Sequence, residues 1–177
     1  MRLDTQKTSA RGAAVAVEMA LVSTLMFLML FGILEYCRFL FLLHVANNAA
    51  RDAVRYAAIH TNGGTMPGDP TNVAASDIIN LVNTGQIGTR TIGSGMSGMQ
   101  SNLTGYSVQV FYADPSALAG SPSVAQPLAG TNWNDAPFAG KIAVQITGTY
   151  TPVLPSLLML SNAIPFKVTA MASSEAN

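Results

Sequence analysis

Residues 12–34 carry no charge except at Glu18. The polar interruption Glu35-Tyr36-Cys37-Arg38 follows, and a second uncharged run covers residues 39–50. At about 1.5 Å per residue, the stretch from Met19 to Leu34 reaches about 24 Å, short of the roughly 30 Å hydrocarbon core of a bilayer. Residues 13–17 on one side or 39–43 on the other complete the span. No proline interrupts the run, and Gly32 is the only glycine within it. The pattern predicts one transmembrane helix over about residues 14–43. A secretory signal peptide is a poorer reading: the run is too long, it contains Glu18, and no A-x-A site follows it.

Helical character continues past that run. Residues 44–60 contain neither Pro nor Gly, and Ala46, Ala49, Ala53 and Ala57 recur at three- and four-residue spacing, which places them on one face. Val45, Ala50, Val54 and Ala58 widen this face, while Arg51, Asp52 and Arg55 point elsewhere. Asn62-Gly63-Gly64 is a stop signal. Residues 14–60 thus read as one helix, about 70 Å long at about 1.5 Å per residue. Its narrow alanine face permits close approach of a partner, either the chain's own distal domain or a neighbouring subunit.

The remaining residues, 61–177, read as a separate α+β domain. A short helix is expected over about 72–84, capped by Asp69 or Thr71, with Val73, Ile78, Leu81 and Val82 apolar and Gly85 ending it. Residues 85–105 are rich in Gly, Ser and Thr and read as a connector. Residues 106–112 alternate with period two, as do 141–150 and 166–173, which predicts three strands. Between the first two lies a long loop containing Pro115, Pro122, Pro127 and Pro137. Strands joined without long helices form an antiparallel sheet, and the alanine face is a natural cover for its apolar side. The apolar stretch 151–160 is too short to cross a bilayer. It is either a buried loop-helix under the sheet or an exposed patch facing a partner or a membrane surface.

Composition narrows the function classes. Of the 177 residues 49% are apolar and 10% charged, against about 25% charged in ordinary soluble domains, which excludes disorder as the main state. Nine basic residues balance nine acidic ones, so the basic surplus of a nucleic-acid binder is missing. The single cysteine, Cys37, excludes an intrachain disulfide framework and a cysteine-based zinc site. His44 and His60 are the only histidines, and no zincin, phosphate-loop or nucleophile-elbow motif is present. No catalytic, cofactor or metal residues are expected, and the chain reads as a non-enzyme. Ten of the eighteen charges fall in residues 1–60: Arg2, Lys7, Arg11, Arg38, Arg51, Arg55, Asp4, Glu18, Glu35 and Asp52. The short basic tail, residues 1–13, is easily left in the cytoplasm, so the expected topology is N-in with the distal domain outside.

Two carboxylates stand out. Glu18 lies within an apolar run, where insertion scales put the cost at about 2.5–3.5 kcal/mol, so it either snorkels to headgroups or pairs with an amine. Glu35 follows 17 residues later, about 26 Å along the helix, near the opposite membrane face. Arg38 at i+3 is its natural intrahelical partner.

Three blocks in order carry a family resemblance: Arg11-Gly12-Ala-Ala-Val-Ala-Val17-Glu18-Met19-Ala-Leu, then Leu30-Phe31-Gly32-Ile-Leu34-Glu35-Tyr36-Cys-Arg38, then Asn48-Ala-Ala-Arg51-Asp-Ala-Val-Arg55-Tyr56-Ala. Over about residues 11–57 the chain resembles the TadE-like family, pseudopilins of the tight-adherence (Tad) branch of type IV pilus systems. The resemblance implies a pilin-like fold and a subunit of the bacterial inner membrane, handled by a prepilin peptidase and acting in pilus assembly, secretion and surface adhesion. Its implied partners are membrane lipid, other pilin or pseudopilin subunits and the assembly machinery. It places the processing region at Gly12, Ala13 and Ala14. Glu18 is the sixth residue after Gly12 and the fifth after Ala13, and Cys37 stands where the family has a small residue. The competing expectation is a membrane-anchored binding or adhesion module that does not polymerise.

Overall fold

A computed structural model describes residues 4–61, 73–93, 95–116, 125–155 and 161–175. The elements in chain order are helix α1 (Asp4–Ile59), helix α2 (Ala75–Thr84), strands β1 (Gln86–Ile87) and β2 (Arg90–Thr91), β3 (Leu103–Tyr112), β4 (Lys141–Tyr150) and β5 (Ile164–Ser173). Short 3-10 turns stand at Gln100–Asn102 and Trp133–Asp135. The architecture is α+β: a long apolar N-terminal helix followed by a domain with small antiparallel sheets. The chain forms two compact units, one comprising Met1–Arg38 with Pro152–Asn162 and the other Phe39–Thr151 with Ala163–Asn177.

The larger unit is built on a three-stranded antiparallel sheet in the order β3-β4-β5. Pairing of Val108 with Ile146, Val110 with Val144 and Tyr112 with Ile142 aligns the apolar positions of β3 and β4. On the other side of β4, Ile146 pairs with Val168, Val144 with Ala170 and Ile142 with Ala172. Because side chains alternate with period two, this register gathers all of them on one face. That face forms a single core with Leu42, Ala46, Ala49, Ala50, Ala53, Val54 and Ala57 of α1 and with Ile78, Leu81 and Val82 of α2. The opposite face of the sheet carries a small second cluster of Phe111, Ala113, Ala125 and Ala143.

Local chemistry explains where the elements begin and end. α2 starts at Ala75, three residues later than the sequence suggests, and its first turn is capped by Asp77, whose carboxylate accepts the Ala74 N–H at 2.9 Å. The expected caps Asp69 and Thr71 lie outside the described residues. Gly85 ends α2 in the left-handed conformation at φ 75° and donates its N–H to the Leu81 carbonyl at 2.8 Å, a position where a side chain is strained. β3 begins at Leu103, ahead of the expected 106, because a register shift between Thr104 and Ser107 breaks the alternation. β5 begins at Ile164 and includes Pro165, which is tolerated because, among the described residues, β5 is an edge strand with no ladder partner on its far side. The connector over 85–105 is not featureless: it holds the β1–β2 hairpin, whose Ile87 is buried, and it buries Met96.

Two polar contacts fasten the far end of α1. The Thr61 and Ser174 hydroxyls share a buried hydrogen bond at 2.6 Å, and the Glu175 N–H donates to the Ala58 carbonyl at 3.0 Å. Near the start of this unit the rings of Phe39 and Tyr150 lie 5.4 Å apart. Between α2 and β3, the Asn83 side-chain oxygen accepts from the Tyr106 hydroxyl at 2.9 Å and from Gln100 Nε2 at 3.1 Å. Burial pushes the Tyr106 phenol up to about 12 from 10.0, with the Gln100 hydrogen bond pulling the other way.

Two outcomes follow from this packing. Ala53 is fully buried in the core, so Ala53→Leu should overpack it and cost about 1–3 kcal/mol, read as a lowered urea midpoint. The same exchange at exposed Ala20 should leave the midpoint unchanged. For Tyr106, the unfolded state loses its proton near pH 10 while the folded state holds it to about pH 12. The stability this proton contributes is intact below pH 10 and is lost as pH rises to about 12. Urea midpoints measured across that window should fall less steeply for Tyr106→Phe than for the unaltered chain. Parallel curves would show that the phenol does not titrate differently in the two states.

Candidate membrane-spanning and assembly site

Within the described residues, one helix is long and apolar enough to cross a membrane, over Gly12–Ile59. No residue of its most apolar stretch is buried in the isolated chain. Val15, Leu21, Leu25, Met29 and Ile33 are all more than half exposed. Apart from Glu18 this surface is apolar on every side, unlike a helix at the surface of a globular domain, which presents one apolar stripe. The backbone satisfies its own hydrogen bonds, as a lipid environment requires. The one interior threonine does likewise, with Thr24 Oγ1 donating to the Ala20 carbonyl at 2.8 Å. Phe27 and Phe31 stack one turn apart, with ring centroids 6.4 Å apart.

The two carboxylates have opposite environments. Glu18 is exposed on the apolar surface, as are Gly12, Ala13 and Ala14. Those three residues lie inside α1, which begins at Asp4 rather than at residue 14. Glu35 is only 9% exposed. Its Oε1 accepts the backbone N–H of Val153 at 3.2 Å, a contact between residues 118 apart in sequence. Arg38, on the next turn of α1, is half-buried, and Cys37 is exposed. The sequence places Glu35 beside Arg38 and does not single out Val153. The apolar stretch 151–160 is described only as far as residue 155. In it Pro152 is buried, Val153 is 60% exposed, and residues 156–160 lie outside the described set.

The alanine face is fully spoken for within the larger unit. Ala46, Ala53 and Ala57 have no exposed surface and Ala49 almost none, all in the core shared with the sheet. Alanine at these positions lets the helix approach the sheet closely, and it leaves none of this face for a neighbouring subunit while the domain is folded.

A second feature escaped the sequence reading. Asp52, Arg55, Tyr56 and Ile59 of α1, with Arg90 and Ile92, line a groove of about 200 Å³. The backbone at Gly93 packs against the Asp52 carboxylate so closely that a Cβ there would meet Oδ2 at 2.6 Å. Among the described residues, no three His, Cys, Asp or Glu side chains are grouped to hold a metal ion. His60 is buried, stacked on Tyr56 with centroids 4.0 Å apart, and its Nδ1 lies 2.7 Å from the Tyr56 carbonyl.

Comparison with known proteins places a boundary on the resemblance. Residues 13–55 match the family model described as TadE-like protein. The match takes in Glu18, Glu35 and Arg38 and most of the alanine face, and it stops before α2 and the sheets. No curated protein and no solved structure matches the chain.

The contrast between the two carboxylates is measurable. Glu35→Ala removes a charged acceptor, worth about 1.5–3 kcal/mol. Amide hydrogen exchange in the peptide containing Val153 should therefore speed up about tenfold or more. Glu18→Ala should leave that peptide unchanged.

Proposed function

We propose that this chain is a membrane-anchored, pilin-like subunit of a Tad-type type IV pilus, a structural component and not an enzyme. In this reading α1 crosses the bacterial inner membrane with its N-terminus in the cytoplasm, and the α+β domain is extracytoplasmic. A prepilin peptidase cuts within Gly12–Ala13–Ala14, after Gly12 or after Ala13. The processed helix then packs beside other pilin or pseudopilin subunits during pilus assembly, in the service of adhesion. The TadE-like match over residues 13–55 supports the family side of this reading.

The observation that carries it is the distribution of exposed surface on α1. The alanine face is consumed by the chain's own sheet, whereas the apolar surface around Glu18 is bare. Contacts with other subunits therefore fall to the membrane-embedded part of the helix. There Glu18 has a role that lipid alone does not offer. A new N-terminal amine on a neighbouring subunit is a positive charge, and two opposite charges removed from water attract strongly, while either one alone in lipid is costly.

The groove bordered by Asp52, Arg55 and Arg90 favours a second reading, an anchored binding or adhesion module that does not polymerise. Glu18→Ala separates the two. On the pilin reading it leaves membrane insertion intact or improved and lowers the amount of protein that co-purifies with sheared filaments. Normal incorporation of Glu18→Ala would remove the amine-pairing role and put the anchored module ahead.

A further inference from the structure

A buried carboxylate in a helix whose neighbouring residues are mostly exposed needs a cover, and the cover here is a short apolar segment from the far end of the chain. The segment at residues 152–155 reads Pro-Val-Leu-Pro. Pro152 is buried, while Val153 is 60% and Leu154 37% exposed. Apolar side chains turned outward beside the polar seal of Glu35 are costly in water.

The backbone of this segment is prepared for a medium poor in water. Pro152 and Pro155 carry no N–H at all. The N–H of Val153 is taken by Glu35, which leaves Leu154 as the one further donor between the prolines. Unsatisfied backbone N–H and C=O groups are the main cost of placing irregular chain in lipid, and proline spacing plus one carboxylate removes most of the donor part of it. Charge is absent as well: no Asp, Glu, Lys or Arg occurs between Lys141 and Lys167.

Position supplies the partner. Residues 152–162 and the helix up to Arg38 belong to one compact unit. The uncharged surface of α1 ends at Glu35, 17 residues beyond Glu18, or about 26 Å of helix, and residues 13–17 on the other side complete a hydrocarbon core of roughly 30 Å. A segment clipped to Glu35 therefore stands where the spanning surface meets the outer headgroups, and its exposed apolar side chains continue that surface.

We propose that residues 152–154 are a second membrane contact, inserting Val153 and Leu154 into the outer-leaflet interface, with the Glu35–Val153 hydrogen bond fixing their depth against α1. The proposal rests on the membrane-spanning reading of α1. The occupant is lipid and not a second copy of the chain, because the patch offers no charge or free polar array for protein recognition and adjoins the lipid-facing helix directly.

The test uses the full chain with Cys37→Ser, reconstituted in phosphatidylcholine–phosphatidylglycerol vesicles. Single nitroxide labels are carried by Val153→Cys, by Met26→Cys on the spanning surface, or by Lys167→Cys on exposed β5. Collision rates with oxygen, which concentrates in lipid, are compared with those of a water-soluble nickel chelate. The oxygen-to-nickel ratio at position 153 should be several-fold above that at 167 and below that at 26. Adding Glu35→Ala should lower the ratio at 153 towards the value at 167, while Glu35→Gln, which keeps an acceptor oxygen, should preserve it. A ratio at 153 equal to that at 167, with 26 still in lipid, overturns the proposal and leaves the spanning reading standing. An aqueous value at 26 overturns the spanning reading itself. Spin–spin broadening at 153 that disappears on dilution with unlabelled protein assigns the patch to a second copy and also overturns the proposal.

Discussion

The distal unit depends on one shared core, in which an alanine-lined face of α1 and one face of a three-stranded sheet are buried together. An alanine side chain ends at Cβ, so the larger side chains of the shared core, among them Val144, Ile146 and Val168, supply most of its volume. Each alanine buries little area. Their joint effect is geometric: they set how near helix and sheet stand, and so whether the larger side chains touch. Room is made on the sheet as well, where a Cβ on Gly148 would come within 3.1 Å of the Phe166 ring. The Thr61–Ser174 hydrogen bond ties the residues just beyond α1 and β5 to each other, and the Phe39–Tyr150 ring contact ties α1 to β4.

A single helix thereby presents two different surfaces. Residues around Leu25 present apolar side chains in every direction, which only lipid or other apolar helices can cover. Residues around Ala53 present apolar side chains in one direction and Arg51 and Arg55 in another, as a half-buried helix of a globular domain does. The change falls near Glu35 and Arg38. The small-residue face suited to tight helix association is thus used inside the chain, and the apolar surface left uncovered is the one carrying Glu18.

Much of this was legible in the sequence because the signals were periodic. The strand over 141–150 is recovered to the residue, since Ile142, Val144 and Ile146 alternate without interruption. The alanine spacing in 46–57 identifies the packed face for the same reason. What escaped reading was aperiodic. The β1–β2 hairpin is two residues per strand, too short to show alternation, and it sits among glycines that read as connector. Gly105, with φ 61°, falls at the register shift that hides the first residues of β3. Trp133 is buried from a 3-10 turn in a proline-rich loop, where no face pattern exists to flag it. The Glu35–Val153 contact joins a side chain to a backbone amide, and backbone amides leave no trace in residue identity. Its one sequence signal is indirect: a lone donor pair between Pro152 and Pro155, in a charge-free stretch, needs an acceptor from elsewhere.

The dependence of the sheet on the alanine face can be measured by removing the helix in two steps and following thermal unfolding by circular dichroism. A fragment of residues 39–177 retains the packed part of α1 and loses the exposed apolar part. It should be soluble without detergent and melt in one cooperative transition. A fragment of residues 62–177 retains all three long strands and lacks their cover, and it should show no cooperative transition. A cooperative melt of the 62–177 fragment at the temperature of the longer one would contradict the central claim, because the sheet would then hold its fold without the helix.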